Sequence, residues 1–369
     1  MTVKHILHVV GARPNFMKIA PIMRVMAKWP DEFAQKLIHT GQHYDAAMSQ
    51  VFFDELDLPR PDVNLEVGSG SHAQQTAQIM QKFEPILLEA KPDWILVPGD
   101  VNSTLACALV AVKLGIRVAH VEAGLRSFDR TMPEEINRLV TDQISDLLFT
   151  PSQDGNENLL REGIKPEKIH FVGNVMIDTL VQLLPKAQER WFQLRDRWAL
   201  HAAVDNYVLA TLHRPANVDD PKTLQELLLA LTEIAQKLPI IFPVHPRTRK
   251  RISDYGLIPS SAQLQFIDPL GYLDFLALQL HARFVLTDSG GVQEETTYLG
   301  IPCLTIRPNT ERPITVTHGS NQLIASSRAA IIDAAETILG KPRSTEIRRP
   351  PLWDGYAAER IVQYFRAMD

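Results

Sequence analysis

Cysteine is nearly absent from this sequence: Cys107 and Cys303 are the two in 369 residues, both in apolar contexts and neither in a CxxC pair. A disulfide scaffold and a zinc ribbon are thereby excluded. Long hydrophobic runs are missing too. No apolar stretch approaches the ~20 residues a bilayer-spanning helix needs, which excludes a helical membrane protein. Nor does one sign of charge dominate. Lys plus Arg total 38 against 43 Asp plus Glu, a net charge of -5, so the chain as a whole is not drawn to nucleic acid or to anionic membrane. An anionic ligand must find a local positive site. A cleaved leader is not expected, because Ile6–Val10 is only strand length and runs straight into Gly11-Ala12-Arg13-Pro14. What remains, 45% hydrophobic, 22% charged and 7% aromatic, is ordinary globular composition, and the length allows two domains. The expectation is a reduced, cytoplasmic, enzyme-sized protein.

Short runs rich in Val, Ile and Leu alternate with helical spacing almost end to end. Strands are expected at Ile6–Val10, Lys36–His39, Trp94–Val97, Arg117–Val121, Leu147–Thr150 and Ile169–Val172. A second set follows at Tyr207–Leu212, Ile240–Val244, Leu264–Ile267, Phe284–Thr287 and Cys303–Ile306. Runs apolar throughout suit strands covered on both faces, hence parallel sheets under helices. Two such sets predict an α/β protein of two doubly wound, Rossmann-like domains with an interdomain cleft. The join is expected within Asp178–Asp205, giving domains of 1–180 and 181–351, with an amphipathic last helix in 352–369. Ligands in such sheets sit beyond the carboxyl ends of the strands.

At each strand end, chemistry competes with ordinary capping as the reason for a polar residue. After the first strand, Arg13 and Lys18 flank a helix expected to begin near Asn15, where free N–H groups favour an anion; a solvated pair is the plain alternative. Asp100 either caps the helix beginning near Ser103 or does chemistry. Glu122 closes a buried strand, a poor place for a cap. Glu134, beside Pro133, is good helix-start chemistry in its own right. Together these three carboxylates converge on one sheet edge, which suits proton transfer better than capping. In the second half His213 and His245 follow successive strands, where each reaches a phosphate or is structural. The sharpest local signal is Leu286-Thr287-Asp288-Ser289-Gly290-Gly291, a buried strand running into Ser-Gly-Gly and then a helix. That arrangement exposes several N–H groups to a pyrophosphate. Glu295, a turn further on, is placed to accept ribose hydroxyls, and Arg312 brings another arginine to the same edge. No spacing supports zinc ligation.

These residues resemble the non-hydrolysing UDP-N-acetylglucosamine 2-epimerases, a family of two-domain glycosyltransferase-B architecture. The likeness spans nearly the whole chain. It is carried by Gly11-Ala12-Arg13-Pro14, Pro98-Gly99-Asp100, His120-Val121-Glu122-Ala123-Gly124-Leu125-Arg126, Pro133-Glu134-Glu135-Ile136-Asn137-Arg138, Leu212-His213-Arg214, the Asp288–Glu295 string and Thr310-Glu311-Arg312-Pro313. The resemblance implies that Arg13, His213, Ser289, Gly290, Gly291 and Arg312 bind the diphosphate of a UDP-sugar. Lys18 would contact the bound nucleotide or sugar, Glu295 the ribose, and Leu270 and Phe275 the uracil. It further implies acid–base chemistry by Asp100, Glu122 and Glu134, with His213 also in the catalytic set. A homodimer and a last helix crossing back to the first domain are implied as well; no metal or cofactor is. Many bacterial members bind an activating second UDP-sugar through a segment after Gln-His. This chain reads Gly41-Gln42-His43-Tyr44-Asp45 there, a pattern similar to relatives acting on diacetamido-uronic sugars, whereas Thr310–Pro313 favours the N-acetylglucosamine enzyme.

Overall fold

The apolar runs become two parallel sheets. The computed structural model describes residues 3–41, 53, 60–198, 206–257, 261–343 and 346–368; Gln42-His43-Tyr44-Asp45 lies outside them. By its internal contacts the chain divides into one unit of Met1–Gln182 with Pro351–Asp369 and another of Leu183–Pro350.

In the first unit the strands are β1 (Lys4–Val10), β2 (Phe33–His39), β3 (Val63–Asn64), β4 (Trp94–Pro98), β5 (Arg117–Val121), β6 (Leu147–Thr150) and β7 (Ile169–Phe171). They lie in the order β3-β2-β1-β4-β5-β6-β7, every described pairing parallel. Leu7, Val9, Ile95, Val97 and Val118 on the sheet pack with Ile79, Phe83, Leu87, Ala106 and Val110 of the covering helices. Each large aliphatic side chain buried in this way stabilises the fold by roughly 1.5–3 kcal/mol relative to exposure. The helix Ala357–Ala367 belongs to this unit. Its first N–H groups, those of Ala357 and Ala358, donate to the Asp178 carboxylate at 3.1 and 2.6 Å. Phe365 sets its ring against Trp94 and Phe149.

The second unit holds β8 (Val208–Thr211), β9 (Ile240–Pro243), β10 (Leu264–Ile267), β11 (Phe284–Thr287), β12 (Cys303–Ile306) and β13 (Asn321–Ile324). Their order is β10-β9-β8-β11-β12-β13, again parallel throughout. Leu224, Leu227 and Leu231 of the helix Pro221–Ile234 and Ile331 of the helix Arg328–Leu339 cover one face. Both sheets thus reverse strand order beside their first strand, between β1 and β4 and between β8 and β11. A crevice opens at such a reversal, where neighbouring crossover helices lie on opposite faces. The expected class, α/β with two doubly wound Rossmann-like sheets, is the one observed.

Two strands have no counterpart among those expected from sequence. β3 is two residues long at a sheet edge, and β13 carries Asn321 and Gln322, so neither shows the apolar run that marks the others. The first helix runs Arg13–Met26 rather than from near Asn15. Asn15 accepts from the N–H groups of Gly11 and Ala12, both at 3.0 Å, which tightens the turn and lets the helix start two residues early.

Candidate active site

At the first unit's reversal point, β1 delivers Arg13 and Lys18 on the helix Arg13–Met26, while β4 and β5 deliver Asp100 and Glu122. Pro98 stands opposite Val121 in the β4–β5 register, so Asp100 and Glu122 leave the sheet side by side. Glu122 is 6% exposed and forms a buried ion pair with Lys18, itself 4% exposed. Lys18, expected on a bound nucleotide or sugar, thus has an internal carboxylate partner. Its ammonium and the Glu122 carboxylate both lean over Gly99, where a Cβ would come within 2.8 Å of Lys18 Nζ and 3.3 Å of Glu122 Oε2. Only glycine fits. Glu122 holds φ at +73°, a conformation that costs a side-chain-bearing residue roughly 1–2 kcal/mol. Its N–H and that of Ala123 both donate to the Phe149 carbonyl, at 3.1 and 3.0 Å, and fix the turn.

Asp100 does not cap the following helix, whose N-cap is Val101. It forms an ion pair with Arg138, on the helix Pro133–Ile144. Arg138 also meets Glu135 at 2.6 Å. Glu135 in turn accepts from the N–H groups of Ser127 and Phe128 at 3.0 and 2.9 Å. Burial opposes ionisation of Glu135, but the Ser127 N–H and Arg138 outweigh it and hold the carboxyl below its ordinary range. Glu134 is half-buried in the first turn of the same helix, four residues before Arg138, and has no hydrogen bond or ion pair among the described residues. The three acids therefore belong to one edge, with Asp100 and Glu134 linked through the helix that carries Arg138.

At the second unit's reversal point, β8 leads into His213 and β11 into Asp288-Ser289. Asp288 organises the turn. Its carboxylate accepts from the backbone N–H of His213 at 3.0 Å, of Arg214 at 2.9 Å and from the Asn217 amide at 3.1 Å. His213 Nδ1 lies 2.9 Å from Asp288 Oδ1. An Nδ1–H donated to that carboxylate leaves Nε2 turned away from it. Burial works against the Asp288 charge, yet the His213 contact and the Arg214 N–H outweigh it and hold its carboxyl low. His245, 5.7 Å from His213 ring to ring, accepts from Arg247 N–H as the cap of its own helix.

Ser289 is the N-cap of the helix Gly290–Leu299 and its hydroxyl makes no capping bond. Gly290 leaves room for the charged ends above it, since a Cβ there would stand 2.8 Å from both Arg312 Nη1 and Glu311 Oε1 and these side chains would have to shift. Arg312 meets Glu294 at 2.8 Å and also pairs with Glu311, which Arg307 contacts at 2.7 Å. Burial disfavours the Glu311 carboxylate, but Arg312 and Arg307 overcome that and hold it well below the usual range. Arg214 is lowered by burial and by the charges of Arg307 and Arg312; three guanidiniums converge beside one helix N-terminus, which is anion-binding chemistry. Further along that helix Glu295 is buried, and burial raises its carboxyl to about 7 against the opposing influence of the Tyr272 hydroxyl. Tyr272 begins the helix Tyr272–Leu280, with the half-buried Leu270 and Phe275 on either side of it in sequence.

The residues to which the sequence reading gave no role are mostly those that hold others: Asp288, Glu311, Glu135 and Arg138, quoted only within motifs, and Asn217 and Arg307, not named at all. A signal existed for some, because a carboxylate closing β11 and two charged residues after β12 sit at strand ends like the rest. Among the described residues there is no group of three His, Cys, Asp or Glu able to hold a metal ion, and no helix long and apolar enough to cross a membrane.

Two doubly wound sheets, with an arginine-lined helix start at one reversal point and carboxylates at the other, define the class as an α/β protein of Rossmann-like units. The family model described as UDP-N-acetylglucosamine 2-epimerase matches residues 27–366. The UDP-N-acetylglucosamine 2-epimerase of Methanocaldococcus jannaschii is 46% identical over 96% of this chain and 97% of its own. The UDP-2,3-diacetamido-2,3-dideoxy-D-glucuronate 2-epimerase of Pseudomonas aeruginosa is 42% identical over 97% and 98%. The crystal structure of the M. jannaschii UDP-GlcNAc 2-epimerase in complex with UDP-GlcNAc and UDP superposes with a TM-score of 0.88 and 44% identity, covering 99% of this chain and all of that one. The chain belongs to the UDP-N-acetylglucosamine 2-epimerase family.

Proposed function

We propose that this protein reversibly interconverts UDP-N-acetylglucosamine and UDP-N-acetylmannosamine without net hydrolysis, and that it does so as a cytoplasmic homodimer. The observation that carries the reading is the His213–Asp288–Ser289 constellation at the β8/β11 reversal, with Arg214, Arg307 and Arg312 beside it. Inverting C2 of the sugar means removing a carbon-bound proton with no adjacent carbonyl to stabilise the carbanion. That proton becomes acidic as the C1–oxygen bond breaks and positive charge builds at C1. Departing UDP must therefore be stabilised first. His213, Arg312, Arg13 and the N–H groups of Ser289, Gly290 and Gly291 serve the diphosphate in this reading, and loss of one such donor typically costs ~10²–10³ in rate. Glu295 accepts the ribose hydroxyls, and Leu270 and Phe275 flank the uracil.

A carboxylate of the first unit takes the C2 proton, leaving a 2-acetamidoglucal. UDP then adds back at C1 while a proton arrives at the other face of C2. Two faces need two proton carriers, which gives Asp100, Glu122 and Glu134 a shared purpose. Lys18, paired with Glu122, sits where it can orient that carboxylate or meet the sugar's substituents.

A second reading is favoured by the P. aeruginosa relative: the same chemistry on a UDP-diacetamido-uronic sugar. One experiment separates the candidates. The protein is incubated with UDP-N-acetylglucosamine in D₂O and followed by proton NMR. A nucleotide-linked manno product with deuterium at C2 is expected. Accumulating free N-acetylmannosamine with UDP would replace the proposal with a hydrolysing epimerase. An unchanged spectrum, with turnover of the diacetamido-glucuronate instead, would move it to the second reading.

A further inference from the structure

The His120 ring is fully buried and touches polar groups on both sides. Nδ1 lies 2.6 Å from Asp142 Oδ1, and Nε2 lies 2.7 Å from the Gly99 carbonyl oxygen. A carbonyl oxygen can only accept, so Nε2 carries a proton. The other side is an acceptor as well. Asp142 Oδ2 receives the Gly124 N–H at 3.1 Å and stands 2.7 Å from Arg126. Burial opposes the Asp142 charge, but His120 and Arg126 outweigh it and keep the carboxyl below its ordinary range. Arg126 is itself paired bidentately with Glu162, at 2.8 and 2.6 Å. Two carboxylates then face one guanidinium, Asp142 from the buried side and Glu162 from the partly exposed one.

We infer that His120, bonded through both ring nitrogens, is the positioning residue that sets the Glu122 carboxylate. The clamp spans both turns on which Glu122 depends. Through Nε2 it fixes the Gly99 carbonyl, in the turn after β4 that Lys18 and Glu122 overhang. Through Asp142 it fixes the Gly124 N–H, two residues beyond Glu122. Between these anchors Glu122 keeps its left-handed backbone, and its side chain is delivered against Lys18 rather than back into the sheet. His120 touches no substrate in this account; it acts through the backbone on either side of the proton carrier.

The inference rests on the epimerase reading for its kinetic consequence. His120→Phe keeps a ring and removes both hydrogen bonds. In that variant kcat should fall by about 100-fold or more while KM and UDP affinity stay within about threefold, as expected for a displaced proton carrier. Asp142→Asn keeps the clamp, because the asparagine amide can donate to Nδ1 while its oxygen accepts from Gly124, and kcat should fall by less than about tenfold. A folded His120→Phe with near-normal kcat, or with KM and UDP affinity lost in proportion, overturns the positioning role. Should His120→Phe not fold, His120→Gln takes its place: its amide cannot hold both anchors, so kcat should fall by about tenfold or more at unchanged KM and UDP affinity, and a near-normal kcat overturns the role. A wild type that does not turn over UDP-N-acetylglucosamine counts against the proposed function instead, and the same variants are then read on the diacetamido-glucuronate.

Discussion

Glu295 gives the nucleoside end of the site a pH dependence that can be worked out in advance. Burial raises its carboxyl from 4.5 to about 7, with the Tyr272 hydroxyl opposing the rise and the Glu294 charge adding to it. A carboxylate that accepts ribose hydroxyls must be ionised, so binding expels a proton that the empty site holds below pH 7. For one linked proton the apparent affinity drops about twofold at the pKa and about tenfold per pH unit below it, or about 1.4 kcal/mol per unit. Uridine is the ligand to use, because a terminal phosphate titrates near pH 6 itself. Calorimetric titration from pH 8 to pH 5.5 should show uridine binding weakening by about 30-fold. Glu295→Gln keeps an acceptor oxygen but cannot titrate; it should bind more weakly at pH 8 and show no slope. Stability runs the opposite way. Between 4.5 and about 7 the native state holds the proton that the unfolded chain has lost. The unliganded protein therefore has this contribution in full below about pH 4.5 and loses it, up to about 3 kcal/mol, as pH rises through 7. A flat uridine profile in the wild type, or equal slopes in the two proteins, would refute the ribose assignment.

Other perturbations follow from the same geometry. Glu122→Gln should retain UDP affinity while losing most turnover, which calorimetry alongside the NMR assay reads directly; near-normal turnover would remove Glu122 from the mechanism. Gly290→Ala puts a methyl group 2.8 Å from Arg312 Nη1 and Glu311 Oε1, so the guanidinium must shift. UDP binding should weaken by about tenfold, about 1.4 kcal/mol, with the fold intact; unchanged affinity would separate Arg312 from the diphosphate. Asp178, whose carboxyl burial raises from 3.8 to about 7 against the N–H groups of Ala358 and Ala357, should make the last helix's attachment weaken as pH rises from 3.8 through 7. Asp178→Asn should remove that dependence from thermal melts, and a melt profile identical to wild type at each pH would contradict it.

Much of the fold was legible because it rests on one repeated physical demand. A strand covered on both faces must be largely apolar, and β1, β4, β5, β8 and β11 are, with His8 and His120 as buried mid-strand exceptions, so they could be located to within a residue or two. β3 and β13 escaped for the complementary reason: at a sheet edge the demand relaxes, and Asn64, Asn321 and Gln322 are tolerated. The early start of the first helix was hidden by Asn15. Its side chain satisfies two loop N–H groups, a tertiary use of a residue that reads in sequence as a cap.

The site divides along a similar line. Groups that would meet a ligand sit directly after strands, where the chain emerges at the crevice, and their position alone marks them: Arg13, Asp100, Glu122, His213, Ser289. Groups that orient these are not so constrained. Arg138 reaches Asp100 from a helix 38 positions away in sequence, and Asp142 reaches Gly124 from the last turns of that same helix. Nothing in their local pattern distinguishes them from polar residues on a solvated helix face; only burial does. Asp288 is the instructive exception, being at a strand end and yet an orienting group. Its carboxylate receives bonds from His213, Arg214 and Asn217, so it points back across the sheet edge toward β8 instead of outward. A strand-end acid is therefore ambiguous until its acceptor sites are counted. If the backbone N–H groups of a neighbouring turn already fill them, as at Asp288, the residue builds the site. Glu134, in the first turn of a helix, meets no such donors among the described residues, so the same count does not make it an orienting group.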